Sequence, residues 1–203
     1  MRPDLPDPIA SAPRLTFGRI PQFPSAHYEV NVDWEEQEHH IARMVRAYDL
    51  DLTPEFQREH VWTDAQRARY IEYVLRGGEV GRNLTFNCPG WQSGTSKGRL
   101  VIVDGKQRLE AVRRFLRGEI AVFDSNAGGG EDGVPRRPGG WRCSELGTLP
   151  LGLGFRWRIC SLDTEEEVLD LYLNINAGGT PHTKEELEKV RAMKRALRAP
   201  ASL

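Results

Sequence analysis

The sequence predicts an α+β fold in which a small mixed β-sheet is flanked by helices. Short apolar, β-branched runs indicate buried strands, and stretches with apolar residues three or four apart indicate helices. These segments intermix without the regular strand–helix–strand repeat of a parallel sheet, which favours a mixed sheet. With 203 residues, of which 39% are hydrophobic and 28% charged, the chain is long enough to form one domain with its own core.

The positions of the elements follow from periodicity and capping signals. Strands are predicted at 84–86, 100–103, 120–123 and 155–160. Helices are predicted at 33–48, 64–76, after the turn at 104–105, at 164–175 and at 183–198. The pairs Thr63–Gln66 and Thr164–Glu167 have capping-box spacing, which marks the starts of two helices. The inward face of the first helix is predicted to consist of Ile41, Met44, Val45 and Tyr48.

The ends of the chain and one internal stretch differ in composition from the rest. Residues 1–25 are rich in proline and lack periodicity, which predicts an extended arm before a single domain at 26–203. Residues 124–140 form a glycine- and proline-rich insert, which predicts a mobile surface loop.

Charge and cysteine content limit the classes of protein to consider. The net charge of −1 gives no global attraction to nucleic acid, so contact with DNA would need a local patch. The three cysteines are scattered and odd in number, which argues against a disulfide framework and favours a reducing cytosol. The chain shows no apolar signal-peptide core and no apolar run of the ~18 residues that a membrane span needs.

The most informative segment is the turn between the strand at 100–103 and the following helix. Asp104 and Gly105 break the strand, and Lys106, Gln107 and Arg108 then open the helix. The start of a helix has unpaired backbone N–H groups and the positive end of the helix dipole, which suit a phosphate. Gly105 allows close approach of a ligand, Lys106 and Arg108 supply positive charge, and Asp104 has the chemistry to hold a metal ion. The alternative is an ordinary turn with solvated basic residues.

Two further segments carry candidate binding residues. Gln57 and Arg58 lie between Phe56 and Trp62 in a segment that is extended or turn-like after a proline. Arginine binds phosphate oxygens in a bidentate manner and glutamine bonds a base or ribose, so the pair suits a nucleotide; an internal salt bridge is the alternative. Asn176, just before a pair of glycines, either binds substrate or caps the end of its helix.

These segments together resemble a known family. The motif DGKQR at 104–108 resembles the DGQQR motif of ParB/sulfiredoxin-like proteins, a family found as the N-terminal domain of GmrSD-type modification-dependent restriction enzymes. The segment PEFQREHVW at 54–62 is similar to an upstream element of that family. The segment INAGGTP at 175–181 is similar to a downstream element. Lys106 departs from the motif glutamine, and His182 stands where the family has leucine.

The resemblance implies a ParB/sulfiredoxin-like fold and a protein that binds, and hydrolyses or senses, a nucleoside triphosphate (NTP). It implies that Asp104 orients a metal ion, expected to be Mg²⁺, or the attacking water, and that residues 105–108 cradle the phosphates. Gln57 and Arg58 would close the site from the upstream segment. GmrSD-type proteins continue into an HNH nuclease domain, and this sequence shows no HNH motif. The expected setting is therefore a restriction, defence or phage system directed at DNA, in which this protein either stands alone or is the partner of a separate nuclease.

Two other functions remain open at this stage. One is a ParB-like protein that uses the motif to bind the DNA backbone, and the other is a phosphotransferase that acts on a small molecule or a modified base. For DNA, the sequence offers a basic patch on the last helix, which suits weak, backbone-mediated contact. This patch consists of Lys189, Arg191, Lys194, Arg195 and Arg198.

Overall fold

The computed structural model describes residues 24–57, 62–94, 98–127, 132–176 and 184–198. Its strands are β1 (Tyr28–Asp33), β2 (Asn83–Asn87), β3 (Val101–Asp104) and β4 (Gly154–Cys160). Its helices are α1 (Gln37–Tyr48), α2 (Asp64–Leu75), α3 (Lys106–Leu116), α4 (Glu165–Asn176) and α5 (Lys184–Arg198). None of the described helices combines the length and apolarity that a membrane crossing requires.

The four strands form one mixed sheet in the order β1-β4-β2-β3. β4 pairs antiparallel with β1 and parallel with β2, and β2 pairs antiparallel with β3. The segment after α1 runs along the other side of β3, where Asp51 forms a bridge with Val101. The predicted α+β fold with a small mixed sheet is therefore confirmed.

Helices pack on both faces of the sheet because neighbouring side chains of β3 point in opposite directions. Ile102 belongs to the larger core, together with apolar residues of α2 and α3 and the large rings of Phe86 and Trp157. Val103 belongs to a second core, which also contains apolar residues of α4 and Val190 of α5. The chain leaves β3 at Asp104, between these two layers, and this exit positions the candidate site.

The capping predictions are confirmed. At the start of α2, Thr63 accepts a hydrogen bond from the Gln66 backbone, and the Gln66 side chain accepts one from the Thr63 backbone. Thr164 and Glu167 make the same reciprocal bonds before α4. Such boxes satisfy backbone N–H groups that have no partner within the helix.

Three of the predictions made from the sequence were wrong. β1 was missed, because its polar residues alternate along an edge strand and dilute the apolar signal. The strand predicted at 120–123 is only a bridge between Val122 and Trp141. Phe123 has a φ of +56°, which a continuing strand does not allow. Val45, predicted to be buried, is 47% exposed, because it lies about 100° around α1 from the buried Met44.

The insert predicted to be a mobile loop is described at 124–127 and 132–140. There Asp124 forms a bridge with Arg137, and the Arg137 guanidinium packs 4.2 Å from the ring centre of Trp141. Its mobility stays a prediction. The predicted N-terminal arm lies outside the described residues except for its last two positions.

Candidate functional site

A cavity of about 350 Å³ opens where β3 ends and α3 begins, between α3, α4 and the segments before α2 and β2. Every predicted nucleotide-site residue that the structure describes lies on its wall. These residues are Gln57, Asp104, Gly105, Lys106, Gln107, Arg108 and Asn176. Arg58 lies outside the described residues. The other described residues on the wall are Trp62, Val80, Gly81, Val103, Tyr172 and Ile175.

The turn at Gly105 requires glycine on two counts. Gly105 is the N-cap of α3 with a φ of +103°, in the region that L-residues with side chains rarely adopt. A Cβ atom there would lie 2.4 Å from Cδ2 of Leu84. The backbone N–H of Leu109 donates to the Gly105 carbonyl at 2.9 Å, so α3 begins at the wall of the cavity. Its positive dipole end therefore faces the space in which a ligand would lie.

Arg108 is held in a narrow slot beside this turn. Its Nη2 donates to Oδ2 of Asp104 at 2.5 Å, and the two side chains are only 17% and 25% exposed. A Cβ atom on Gly81, whose φ is +81°, would lie 3.3 Å from both Cδ and Nη1 of Arg108. A Cβ atom on Gly105 would lie 3.5 Å from its Nη2. Two glycines thus make room for the guanidinium, and Asp104 fixes its direction.

An aromatic pair supports the wall next to Arg108. The rings of Trp62 and Tyr70 meet edge to face, with centres 5.6 Å apart. The Tyr70 hydroxyl donates to the Gly81 carbonyl at 2.9 Å, and burial raises the pKa of Tyr70 above its usual value, so the hydroxyl stays protonated. The Trp62 backbone N–H donates to Oε1 of Gln107 at 3.3 Å, which connects this wall to the α3 turn.

Two side-chain amides lie on the wall near α4. Nε2 of Gln57 donates to the Val103 carbonyl at 2.6 Å, which ties the segment before α2 to the end of β3. Nδ2 of Asn176 donates to the Tyr172 carbonyl at 2.7 Å, one turn back in α4. Asn176 therefore makes the helix-end bond that the sequence left as an alternative to binding, and it lies on the cavity as well.

Sequence reasoning missed several wall residues. Gly81 was not singled out, although glycines after a predicted helix end are a signal for backbone with positive φ. Tyr70, which supports the wall through its hydrogen bond to the Gly81 carbonyl, was not singled out either. Tyr172 and Ile175 lie within the helix predicted at 164–175, but they were not predicted as site residues. Their place on the cavity follows from the packing of α4 against β3, which a single sequence does not reveal.

The described residues contain no group of three or more His, Cys, Asp or Glu side chains that could hold a metal ion. Asp104 is the carboxylate on the wall of the cavity. Mg²⁺ in phosphate sites commonly uses one or two carboxylates, with substrate oxygens and water as the other ligands. The residues present therefore fit a metal ion that enters together with a phosphate ligand.

The basic residues predicted as a DNA patch on α5 have acidic or backbone partners. Lys194 pairs with Asp170 and Glu166, and both Arg195 and Arg191 lie within salt-bridge distance of Glu188. The Lys189 ammonium group donates to the backbone carbonyl of Glu55 at 3.4 Å. The side chain of Arg198 lies outside the described part of the chain. Contact of this patch with DNA stays a prediction.

Comparison with family models gives one assignment. Residues 41–139 match the family described as GmrSD restriction endonuclease, N-terminal domain. The match includes the α3 turn, Gln57 and Trp62, and it ends before α4. No curated protein and no solved structure matches the chain. The ParB/sulfiredoxin-like part of the earlier resemblance stays a prediction. Over residues 41–139, this chain is thus similar to the N-terminal domain of GmrSD restriction endonucleases.

Proposed function

We propose that this protein binds a nucleoside triphosphate in the cavity at the start of α3 and acts as a nucleotide-hydrolysing or nucleotide-sensing component of a restriction or defence system directed at DNA. One observation carries the proposal. A single cavity of about 350 Å³ brings Gln57, Asn176 and the turn at 104–108 together from distant parts of the sequence.

Phosphate groups suit the α3 side of this cavity for three reasons. The helix directs the positive end of its dipole there. Lys106 and Arg108 add two positive charges to the wall, and Asp104, the carboxylate among the described wall residues, forms an ion pair with Arg108. Gly105 has no side chain, so phosphate oxygens can approach the backbone closely.

Arg108 and Asp104 would divide the work of binding and chemistry. The guanidinium of Arg108, which lies between Gly81 and Gly105, would bind phosphate oxygens. Asp104 would hold the divalent ion, and Lys106 would neutralise phosphate charge. A bound Mg²⁺ would neutralise the negative charge that develops on the oxygen of the leaving group.

The family match supports the biological setting. The matched family is named for restriction endonucleases, and the matched residues include the α3 turn. A domain of this kind that binds NTP would couple nucleotide state to the action of a nuclease, which would be a separate protein or domain.

The experiment that tests the proposal is calorimetric titration with the four NTPs and with inorganic tripolyphosphate, with and without magnesium. We expect at least one NTP to bind and inorganic phosphate to be released in the presence of magnesium. Appearance of a phosphorylated acceptor in place of free phosphate would indicate a phosphotransferase. Binding to DNA without binding to any NTP or to tripolyphosphate would overturn the proposal in favour of a DNA-backbone-binding protein.

A further inference from the structure

The cavity has two chemically different ends. The α3 end carries Lys106, the ion pair of Arg108 with Asp104, and the positive end of a helix dipole. Among the described residues, the other end, here called the acceptor end, is lined by Gln57, Val103, Tyr172, Ile175 and Asn176. These five side chains are uncharged at neutral pH. A ligand that fills the whole cavity therefore needs an anionic part and an uncharged part.

The hydrogen bonds of the two amides fix which of their atoms a ligand can use. Nε2 of Gln57 donates to the carbonyls of Val103 at 2.6 Å and Ile102 at 3.4 Å, and Nδ2 of Asn176 donates to the Tyr172 carbonyl at 2.7 Å. If either amide were flipped, its oxygen would lie against a carbonyl oxygen, and two acceptors at this distance repel each other.

The amide oxygens therefore remain as acceptors. Within the described part of the chain, neither Oε1 of Gln57 nor Oδ1 of Asn176 accepts a hydrogen bond. Both residues line the cavity and are half-buried. A ligand that places N–H donors at this end would satisfy these oxygens, whereas a ligand with acceptors there would meet like dipoles.

We infer that the acceptor end binds the nucleobase, and that the amide oxygens of Gln57 and Asn176 select bases with an amino group. This inference rests on the proposed function, because it assigns the second half of the same nucleotide. Val103, Tyr172 and Ile175 supply apolar surface for the faces of the ring. The exocyclic amino groups of guanine and adenine are N–H donors of the required kind.

The experiment uses pairs of nucleotides that differ by one amino group. GTP is compared with inosine triphosphate, and ATP with purine riboside triphosphate, in titrations without magnesium. Because a site with built-in polar groups rejects analogues that leave them unpaired, we expect the amino-bearing member of at least one pair to bind about tenfold tighter. Equal affinities within both pairs would overturn the inference.

A matched pair of variants assigns the effect to the acceptor end. Asn176→Ala removes one acceptor, and Asn174→Ala removes an exposed asparagine of the same helix that does not line this cavity. We expect Asn176→Ala to reduce the preference for the amino group at least threefold and Asn174→Ala to leave it unchanged. A preference that persists in full in Asn176→Ala would overturn the inference.

Titration with inorganic tripolyphosphate separates this inference from the proposed function. Tripolyphosphate has no base, so its affinity should be the same in Asn176→Ala as in the wild type. If wild-type protein bound tripolyphosphate as tightly as it bound every NTP, the base site would be wrong while the phosphate site stood. If it bound neither tripolyphosphate nor NTP, the proposed function itself would fail.

Discussion

Replacement of Arg108 by alanine should weaken phosphate binding by far more than it weakens the fold. A charge-assisted hydrogen bond to a half-buried guanidinium contributes about 1.5–3 kcal/mol. Removal of Arg108 also leaves the Asp104 carboxylate without its ion pair on the same wall. For unit charges roughly 8 Å apart at an effective dielectric constant near 20, that repulsion adds about 2 kcal/mol.

The double variant divides this loss into its two parts. We expect Arg108→Ala to lose about 3–5 kcal/mol of binding free energy for tripolyphosphate, and the pair Arg108→Ala with Asp104→Asn to lose only about 1.5–3 kcal/mol. Calorimetric titration without magnesium measures both values. The cycle also shows whether the two residues act as a unit, because independent sites would give additive changes.

Arg113→Ala is the matched control. Arg113 lies on the same helix and forms an ion pair with Glu38 at 2.5 Å, but it does not line this cavity. It should bind tripolyphosphate as the wild type does, and all variants should melt within a few degrees of the wild type. Wild-type affinity in Arg108→Ala would refute the phosphate site. A collapse of its melting temperature would instead show that Arg108 holds the fold together.

Four other predictions follow from the same contacts. Gly105→Ala should lower the free energy of unfolding by about 1–3 kcal/mol, seen as a drop of several degrees in thermal melting, and an unchanged melting temperature would contradict the strained turn. Asp104→Asn should retain NTP binding, but its magnesium-dependent turnover should fall by at least about tenfold. Turnover equal to that of the wild type would show that Asp104 only orients the neighbouring arginine. Burial is the main cause that lowers the pKa of His40 below its usual 6.5. As the pH falls, His40 is therefore protonated in the unfolded chain before it is protonated in the folded protein. Unfolding titrations should show that the free energy of unfolding decreases below about pH 6.5, and that it decreases less in His40→Gln. Duplex DNA binding should be micromolar or weaker, should fall steeply with salt and should vanish when Lys194 and Arg195 are both replaced by Glu; tight, salt-insensitive binding would argue for a DNA-binding function.

The local part of the site could be predicted from the sequence because neighbouring residues determine it. An apolar β-branched run, a glycine turn and a helical apolar pattern lie within one segment, and the structure has β3, Gly105 and α3 in these places. The capping boxes are local in the same way.

The long-range part could not be derived from spacing. Gln57 reaches the cavity through a bond to Val103, 46 positions away along the chain. The sequence alone allowed a salt bridge at this segment equally well, and only the family resemblance favoured the site. Asn176 is still further away, and it reaches the cavity because α4 packs on the second face of the sheet.

Buried polar residues show a similar limit. Gln37 stands in a charged stretch of sequence, yet it is fully buried in the fold. Its amide donates to the Val32 carbonyl at 2.7 Å and accepts from the Trp157 indole at 3.0 Å. These partners come from β1 and β4, so the burial of Gln37 depends on the missed strand β1. Because β1 was not predicted, the burial of Gln37 could not be predicted either.

The charge of the cavity has a consequence for the kind of ligand that it can bind. Asp104 and Arg108 form an ion pair on the wall, in a protein whose net charge is −1. An anion has to attract Arg108 away from Asp104 to use its full strength. When a phosphate ligand enters with a divalent ion, the ion neutralises the charge of Asp104 and the phosphate binds Arg108. The ion pair therefore favours a metal-bound polyphosphate over a simple anion.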